Sequence, residues 1–212
     1  MEIRAYDELY VEAAQNNLGN MFDYALVTMG IDIDKFESIL IVSDVSKQFE
    51  AGNPAYVCGR NGCELAKMIL DQSGISYEPT DDVMYVDKSA EYWTGWILAY
   101  YQWYSGNTFR EILAVNGVKD ILGMYPLYHE MDIMKFVEYM DKKKKEKYPA
   151  TKLRVFRDNS NLSQSELARI SGVSIRQIQL FEQKKRDINK TQVSTLLRLS
   201  RALSCNMEDL VE

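Results

Sequence analysis

The chain has 212 residues, of which 46% are hydrophobic and 26% are charged, and its net charge is −6. This length and composition predict an ordinary folded protein of one or two domains. No stretch approaches the roughly 18 apolar residues that a membrane-spanning helix needs. Three cysteines are too few for a disulfide framework, and residues 1–8 lack the basic start and apolar segment of a secretory signal, so we expect a cytoplasmic protein without a membrane partner.

Apolar residues recur at spacings of three and four along most of the chain, which predicts an all-α fold. The pattern predicts helices over 6–30, 34–51 and 62–74, with a turn at Gly52-Asn53-Pro54 between the second and the third. Residues 75–88 are predicted to form a polar loop, with a short extended piece at Val83-Met84-Tyr85-Val86.

The next predicted helix, 89–106, is dense in aromatic residues. One face carries Trp93, Trp96, Tyr100 and Trp103 or Tyr104, whereas Tyr92 and Tyr101 lie outside it. Aromatic residues at helical spacing favour packing in a domain core. The alternative is a dimer or partner surface, since Tyr and Trp are enriched at protein interfaces.

A domain boundary is predicted near Pro149, because proline disfavours continuation of the preceding helix. That helix starts near Glu130 and runs into the charged segment 141–147, and a capping box at Thr108 and Glu111 starts the helix before it. We therefore expect an acidic helical domain over 1–141, for dimerisation or partner binding, a basic linker over 142–150, and a third segment over 151–212.

Two capped helices with a short turn between them are predicted in the third segment. Ser163 and Glu166 form a second capping box, and Ser174 caps the helix that follows Gly172. Glycine accepts the positive φ that such a tight turn needs. This arrangement is the helix-turn-helix geometry, whose second helix enters the major groove of DNA. Further apolar residues can close the core: Leu153, Phe156, Val173, Ile178, Phe181, Leu196, Leu199, Ala202, Leu203, Met207 and Leu210.

Residues 151–212 resemble the lambda-repressor/Cro-like family of helix-turn-helix domains, also called the xenobiotic-response-element family. The matching residues are Leu162-Ser163-Gln164-Ser165-Glu166-Leu167-Ala168, Gly172-Val173-Ser174, Ile178, Glu182, Leu199, Ala202, Leu203 and Glu208-Asp209-Leu210. The resemblance implies a five-helix bundle that binds double-stranded DNA through its third helix, 174–183. The chain departs from the family at Lys184, where a glycine commonly follows the recognition helix.

The same resemblance implies which side chains meet DNA. Arg176 can make a bidentate contact to guanine and Gln179 to adenine, while Ile175 and Leu180 can contact thymine methyl groups. Ser163 and Gln164 match positions that touch phosphate or brace the recognition helix. The expected contacts to the DNA backbone are Ser163, Gln164, Ser174, Lys184, Lys185, Arg186 and Lys190.

The charge is divided unevenly along the chain. Residues 150–212 carry 11 Lys and Arg against 7 Asp and Glu, or +4, whereas residues 1–149 carry 14 against 24, or −10. Only the C-terminal part is therefore expected to meet DNA. The lysine run 142–145 is either a solvated helix end or an accessory contact to the DNA backbone.

The acidic domain is similar, in Gly95-Trp96 and 99–104, to uncharacterised regulators encoded beside small toxin-like partners. That resemblance implies an antitoxin that neutralises a partner protein and represses its own operon. Our first hypothesis is a sequence-specific transcriptional regulator, a repressor that binds its operator as a homodimer. The antitoxin and a regulator that responds to a small molecule are the alternatives.

The sequence predicts neither a catalytic site nor a metal site. His129 is the only histidine, and no nucleophile elbow of the type Gly-x-Ser-x-Gly occurs. Cys58, Cys63 and Cys205 have no second ligand pair that would complete a zinc site. The glycines near Cys58 are not followed by the Gly-Lys-Ser/Thr ending of a phosphate-binding loop. We expect no enzyme activity and no cofactor.

Overall fold

The computed structural model describes residues 4–78, 81–82 and 87–212, and no β-strand occurs among them. The predicted all-helical architecture is therefore confirmed, while the predicted extended piece Val83–Val86 lies outside the described residues. The chain divides into two compact units, 1–144 and 145–212. In the described parts, no helix combines the length and the apolar character needed to cross a membrane.

The helices that begin in the N-terminal unit are α1 (Val11–Asp23), α2 (Ile33–Leu40), α3 (Asp44–Glu50), α4 (Pro54–Val57), α5 (Gly62–Gln72), α6 (Ala90–Ser105), α7 (Phe109–Val115), α8 (Val118–Leu122), α9 (Tyr125–Tyr128) and α10 (Ile133–Lys147). The predicted helix 6–30 starts too early, because Asp7 instead caps a 3-10 turn over Glu8–Tyr10. After α1 the chain forms a π-helical turn over Tyr24–Thr28.

The single helix predicted over 34–51 is wrong, because the chain breaks between α2 and α3. The Ser43 hydroxyl accepts a hydrogen bond from the Ser46 amide at 3.0 Å, which starts α3 anew. The Ser46 hydroxyl donates to the Leu40 carbonyl at 2.6 Å and satisfies the end of α2. The apolar periodicity continues across this break, so periodicity alone does not reveal it.

The core of the N-terminal unit is built around α6, which packs against α1 along most of its length. The core interpretation is confirmed for four aromatic residues, since Tyr92, Trp93, Tyr101 and Trp103 are all buried. The predicted face is wrong for both residues placed outside it, since Tyr92 is 9% and Tyr101 only 2% exposed. Tyr101 shows the reason. Its hydroxyl donates to Asp141 on α10 at 2.8 Å, and its ring meets Phe136 edge to face, so α10 covers a side of α6 that was expected to lie outside the core.

The close crossing of α1 and α6 depends on Gly95. A Cβ atom at this position would overlap the backbone carbonyl of Leu18, which cannot move without shifting α1. We expect Gly95→Ala to lower the free energy of unfolding by about 1–3 kcal/mol, as overpacked cores do. Gly123→Ala is the matched control, because Gly123 has a helical φ of −62° and only ordinary van der Waals contacts there.

This prediction is checked by urea unfolding of the full chain, followed through tryptophan fluorescence, because Trp93, Trp96 and Trp103 all lie on α6. Gly123→Ala is expected to leave the free energy unchanged or to raise it by about 0.4–1 kcal/mol through a less flexible unfolded chain. Equal stability of the two variants would show that the two helices have room to separate.

The C-terminal unit contains α11 (Lys152–Asn159), α12 (Gln164–Ser171), α13 (Ile175–Glu182) and α14 (Val193–Ala202), with 3-10 turns at Ile188–Lys190 and Glu208–Leu210. The fifth helix of the implied bundle is thus a single 3-10 turn. Ten of the eleven residues predicted to close the core pack in it, but Met207 does not. Cys205 and Ile188, which were not predicted, pack there instead.

Most of the predicted linker 142–150 is helical. Helix α10 continues through the lysine run to Lys147, and α11 begins at Lys152 behind its cap Thr151. Only Tyr148, Pro149 and Ala150 therefore lie between that helix and the next cap.

Candidate nucleic-acid interface

The turn between α12 and α13 has the local structure that its residues predict. The Ser163 hydroxyl accepts from the Glu166 amide at 3.2 Å, and the Glu166 carboxylate accepts from the Ser163 amide at 2.8 Å. That second bond holds the pKa of Glu166 below its usual value. Gly172 adopts a φ of +67°, and the Ser174 hydroxyl caps α13. The predicted capping box, turn and second cap are confirmed.

Apolar residues on one side of α13 determine which side faces outward. Ile178 and Phe181 are buried with Val173 in the core of the unit. On a helix of 3.6 residues per turn, Arg176 and Leu180 then lie on the opposite side. The inward side is fixed by packing, so the outward side is held in one orientation.

The four side chains expected to contact bases lie on or beside this outward face. Ile175 is 40% exposed and Arg176 is exposed, whereas Gln179 and Leu180 are half-buried. Gln183 lies one turn beyond Gln179, is exposed, and was missed by the sequence interpretation. Its position four residues after Gln179 is the signal that could have found it.

A buried ion pair holds α13 against α11. Glu182 accepts from the guanidinium of Arg157 at both carboxylate oxygens, at 2.6 and 3.0 Å. The side chains of Arg157 and Glu182 are 10% and 4% exposed. The bond from Glu182 raises the pKa of Arg157, so the guanidinium stays charged. This pair connects α11 to the C-terminal end of α13.

Gln164 joins the same cluster from the first turn of α12. Its amide nitrogen donates to Glu182 at 2.8 Å, so of its two expected roles the structure shows the bracing one. Arg157 also donates to the Leu162 carbonyl at 2.7 Å, which fixes the loop before α12. The sequence interpretation missed Arg157, because an arginine on an amphipathic helix is ordinarily assigned to the solvent face.

Four basic side chains follow α13 and are exposed: Lys184, Lys185, Arg186 and Lys190. The Arg186 guanidinium lies 5.8 Å from the centre of the Phe181 ring, and Lys190 lies 3.6 Å from Asp187. Lys184 has a φ of +56°, so it adopts the left-handed conformation in which the family commonly has glycine. The departure from the family pattern therefore places a lysine in a backbone conformation that favours glycine, which strains the residue.

We expect Lys184→Gly to be more stable than Lys185→Gly by about 1–2 kcal/mol. Glycine relieves the left-handed strain at position 184, whereas at position 185 it only adds flexibility to the unfolded chain. Both variants remove one positive charge, so charge does not explain a difference. Urea unfolding of the full chain by circular dichroism measures it, and a Lys184→Gly variant no more stable than Lys185→Gly would contradict the strain.

The histidine and the cysteines were the residues considered for catalysis or metal binding. His129 stacks on Tyr125 with ring centres 4.4 Å apart, and its Nδ1 lies 2.8 Å from the Tyr125 carbonyl oxygen. Cys58 is exposed, while burial raises the pKa of the Cys63 thiol to about 11. Across 4–78, 81–82 and 87–212, no group of three or more His, Cys, Asp or Glu side chains is placed to hold a metal ion.

Comparison with known families identifies the C-terminal unit. Residues 152–212 match the family described as the Cro/C1-type HTH DNA-binding domain, so this segment is a helix-turn-helix domain that binds DNA. No curated protein and no solved structure matches the chain.

Proposed function

We propose that the chain is a sequence-specific transcriptional regulator, a repressor that binds a two-fold symmetric operator as a homodimer through α13. The observation that supports this most is the outward face of α13, where Ile175 and Arg176 are exposed on a helix braced by Arg157 and Glu182. A fixed helix with an exposed arginine near its start suits entry into the major groove.

The side chains on this face differ in what they can read. Arg176 donates to guanine O6 and N7, and Gln179 pairs with the donor and acceptor of adenine. Ile175 and Leu180 contact thymine methyl groups but form no hydrogen bonds. Specificity is therefore expected to depend on methyl contacts and DNA shape as well as on the hydrogen bonds of Arg176.

The contacts to the DNA backbone set the position of this helix along the duplex. Lys184, Lys185, Arg186 and Lys190 supply positive charge beyond the end of α13. Ser163, Gln164 and Ser174 lie at the first turns of α12 and α13, where backbone amides and the helix dipole favour a phosphate. These contacts increase the affinity for every sequence alike.

A homodimer follows from the size of the recognition surface. One helix of eight residues contacts too few base pairs to select an operator within a genome, and two-fold pairing doubles the contacts. A repressor is the simplest regulator of this type, because a bound dimer occupies the DNA that the polymerase needs.

Footprinting of the full chain on the DNA upstream of its own gene tests this proposal, with native mass spectrometry of the complex. We expect two inverted half-sites about one helical turn apart, two chains per site, and less transcription from a reporter when the chain is present. One chain per site or increased transcription would contradict the dimeric repressor.

A second candidate is the neutralisation of a partner protein through the N-terminal unit, with DNA binding as autoregulation. The observation in its favour is that Trp96, Tyr100 and Tyr104 are only partly buried although they belong to the central helix of that unit. Aromatic side chains left on a surface are enriched at protein interfaces.

A further inference from the structure

One surface of the N-terminal unit combines aromatic and methionine side chains. Tyr100 donates to the Met134 sulfur at 3.8 Å, which joins the partly buried face of α6 to the start of α10. Trp96 precedes Tyr100 by one turn of α6, and Met131 precedes Met134 by three residues, with Met131 and Met134 44% and 36% exposed. We define Trp96, Tyr100, Met131 and Met134 as the aromatic-methionine face.

The aromatic part of this face is held rigid from beneath. Tyr100 stacks on Tyr104 with ring centres 6.2 Å apart, and the Arg4 guanidinium lies 3.8 Å from the centre of the Tyr104 ring. Arg4 also donates to the Tyr104 carbonyl at 2.7 Å. A surface whose large side chains are already ordered loses little conformational entropy on binding.

The two segments that lead into α1 and α10 are acidic. Residues 4–12 and 127–134 carry Arg4 against Asp7, Glu8, Glu12, Glu130 and Asp132, a net charge of −4. Burial raises the pKa of Tyr100 most, the positive charge of Arg4 lowers it, and the carboxylates of Asp132 and Glu8 raise it. An incoming surface therefore meets apolar side chains within a field of negative charge.

The negative charge favours a basic partner protein over a second copy of the chain as the molecule that binds this face. A second copy of the chain would bring the same carboxylates to the interface, where like charges facing each other are unfavourable. The face also belongs to a unit, 1–144, with 12 Lys and Arg against 23 Asp and Glu, or −11. Charge complementarity favours a basic partner.

We propose that the aromatic-methionine face binds a protein segment in which Lys or Arg residues flank an apolar anchor. The anchor packs on Trp96, Tyr100 and the two methionines, and the basic residues pair with the carboxylates around them. Central aromatic and apolar contacts provide most of the affinity at such interfaces, and the charges provide the association rate and the choice of partner. This inference rests on the second candidate function, partner binding, and not on the reading of DNA.

The experiment selects short random peptides displayed on phage against the full chain, and then measures the affinity of the synthetic peptides. Met134→Lys tests the face. Val42→Lys is the matched control, because Val42 is 53% exposed on the same unit, between α2 and α3, and the variant adds the same charge. Circular dichroism verifies that both variants are folded.

The expected result is a set of peptides rich in Lys or Arg around a large apolar residue. Their affinity should fall about tenfold or more with Met134→Lys and about twofold or less with Val42→Lys. Peptides without excess positive charge, equal loss with both variants, or no enrichment would overturn the proposal.

Sedimentation equilibrium tests whether a second copy of the chain binds this face. A wild-type dimer that dissociates with Met134→Lys would show that the face pairs two copies of the chain, and would also overturn the proposal. Operator binding by Met134→Lys is measured in parallel and is expected to be unchanged. Peptide binding and operator binding are measured separately. Failure of this inference can therefore be told apart from failure of the DNA-binding proposal.

Discussion

Replacement of Glu182 by alanine is expected to lower the free energy of unfolding of the C-terminal unit by about 1–3 kcal/mol. The variant removes the bidentate partner of the Arg157 guanidinium, whose side chain is 10% exposed, and leaves it an ion pair with Asp158, whose side chain is 52% exposed. It also leaves the Gln164 amide without its acceptor. The loss is measured by urea unfolding of the full chain, followed by circular dichroism.

The matched control removes both charges at once. A double variant with Arg157→Met and Glu182→Met leaves no buried charge unpaired, so it should regain most of the lost stability. Tryptophan fluorescence in the same samples reports the N-terminal unit, where the three tryptophans lie. A loss below about 1 kcal/mol for Glu182→Ala would mean that the pair behaves as a solvated surface salt bridge.

Replacement of Arg176 by alanine is expected to weaken binding to the operator by about 1–3 kcal/mol for each lost bidentate contact to guanine. A dimer loses this contact in both half-sites. The preference at one base pair of each half-site should be relaxed, while the preferences elsewhere stay. Fluorescence anisotropy on a panel of operator duplexes with single base-pair changes measures both effects.

Lys185→Ala is the comparison, because Lys185 is expected to contact the DNA backbone and not a base. It should weaken binding to all duplexes alike and reduce the slope of log affinity against log salt by about 1 per contact. Both variants remove one positive charge from exposed positions of the same unit. An equal loss on every duplex for Arg176→Ala would show that this residue contacts the DNA backbone and not a base.

The local structure of the C-terminal unit follows closely from its sequence, because three of its four α-helices, α11, α12 and α13, start behind a side chain that satisfies free backbone amides. Ser163 with Glu166, and Ser174, form hydrogen bonds with their immediate neighbours, so their effect does not depend on the rest of the fold. Gly172 likewise acts locally, because the turn after α12 needs only the positive φ of this one residue.

The break between α2 and α3 has the same local chemistry but is hidden by periodicity. The cap at Ser43 lies within an uninterrupted apolar pattern that suits one long helix equally well. The short helices α8 and α9 have five and four residues, too few for an apolar period to be visible. Their existence depends on packing against α6.

The brace beneath the recognition helix could not be derived from spacing. Arg157 and Glu182 are 25 residues apart in sequence, and either residue alone suits a solvated helix face. Only the packing of α11 and α13 brings the two charges together and removes them from water. The burial of Tyr101 has the same cause, because it depends on where α10 packs.

Selection from a random pool of DNA duplexes by the full chain tests the reading of DNA sequence by α13 most directly. We expect one common sequence made of two inverted half-sites, and we expect Arg176→Ala to select the same sequence except for one degenerate position in each half-site. Recovery of unrelated sequences by the wild-type chain, or an unchanged sequence for Arg176→Ala, would contradict it.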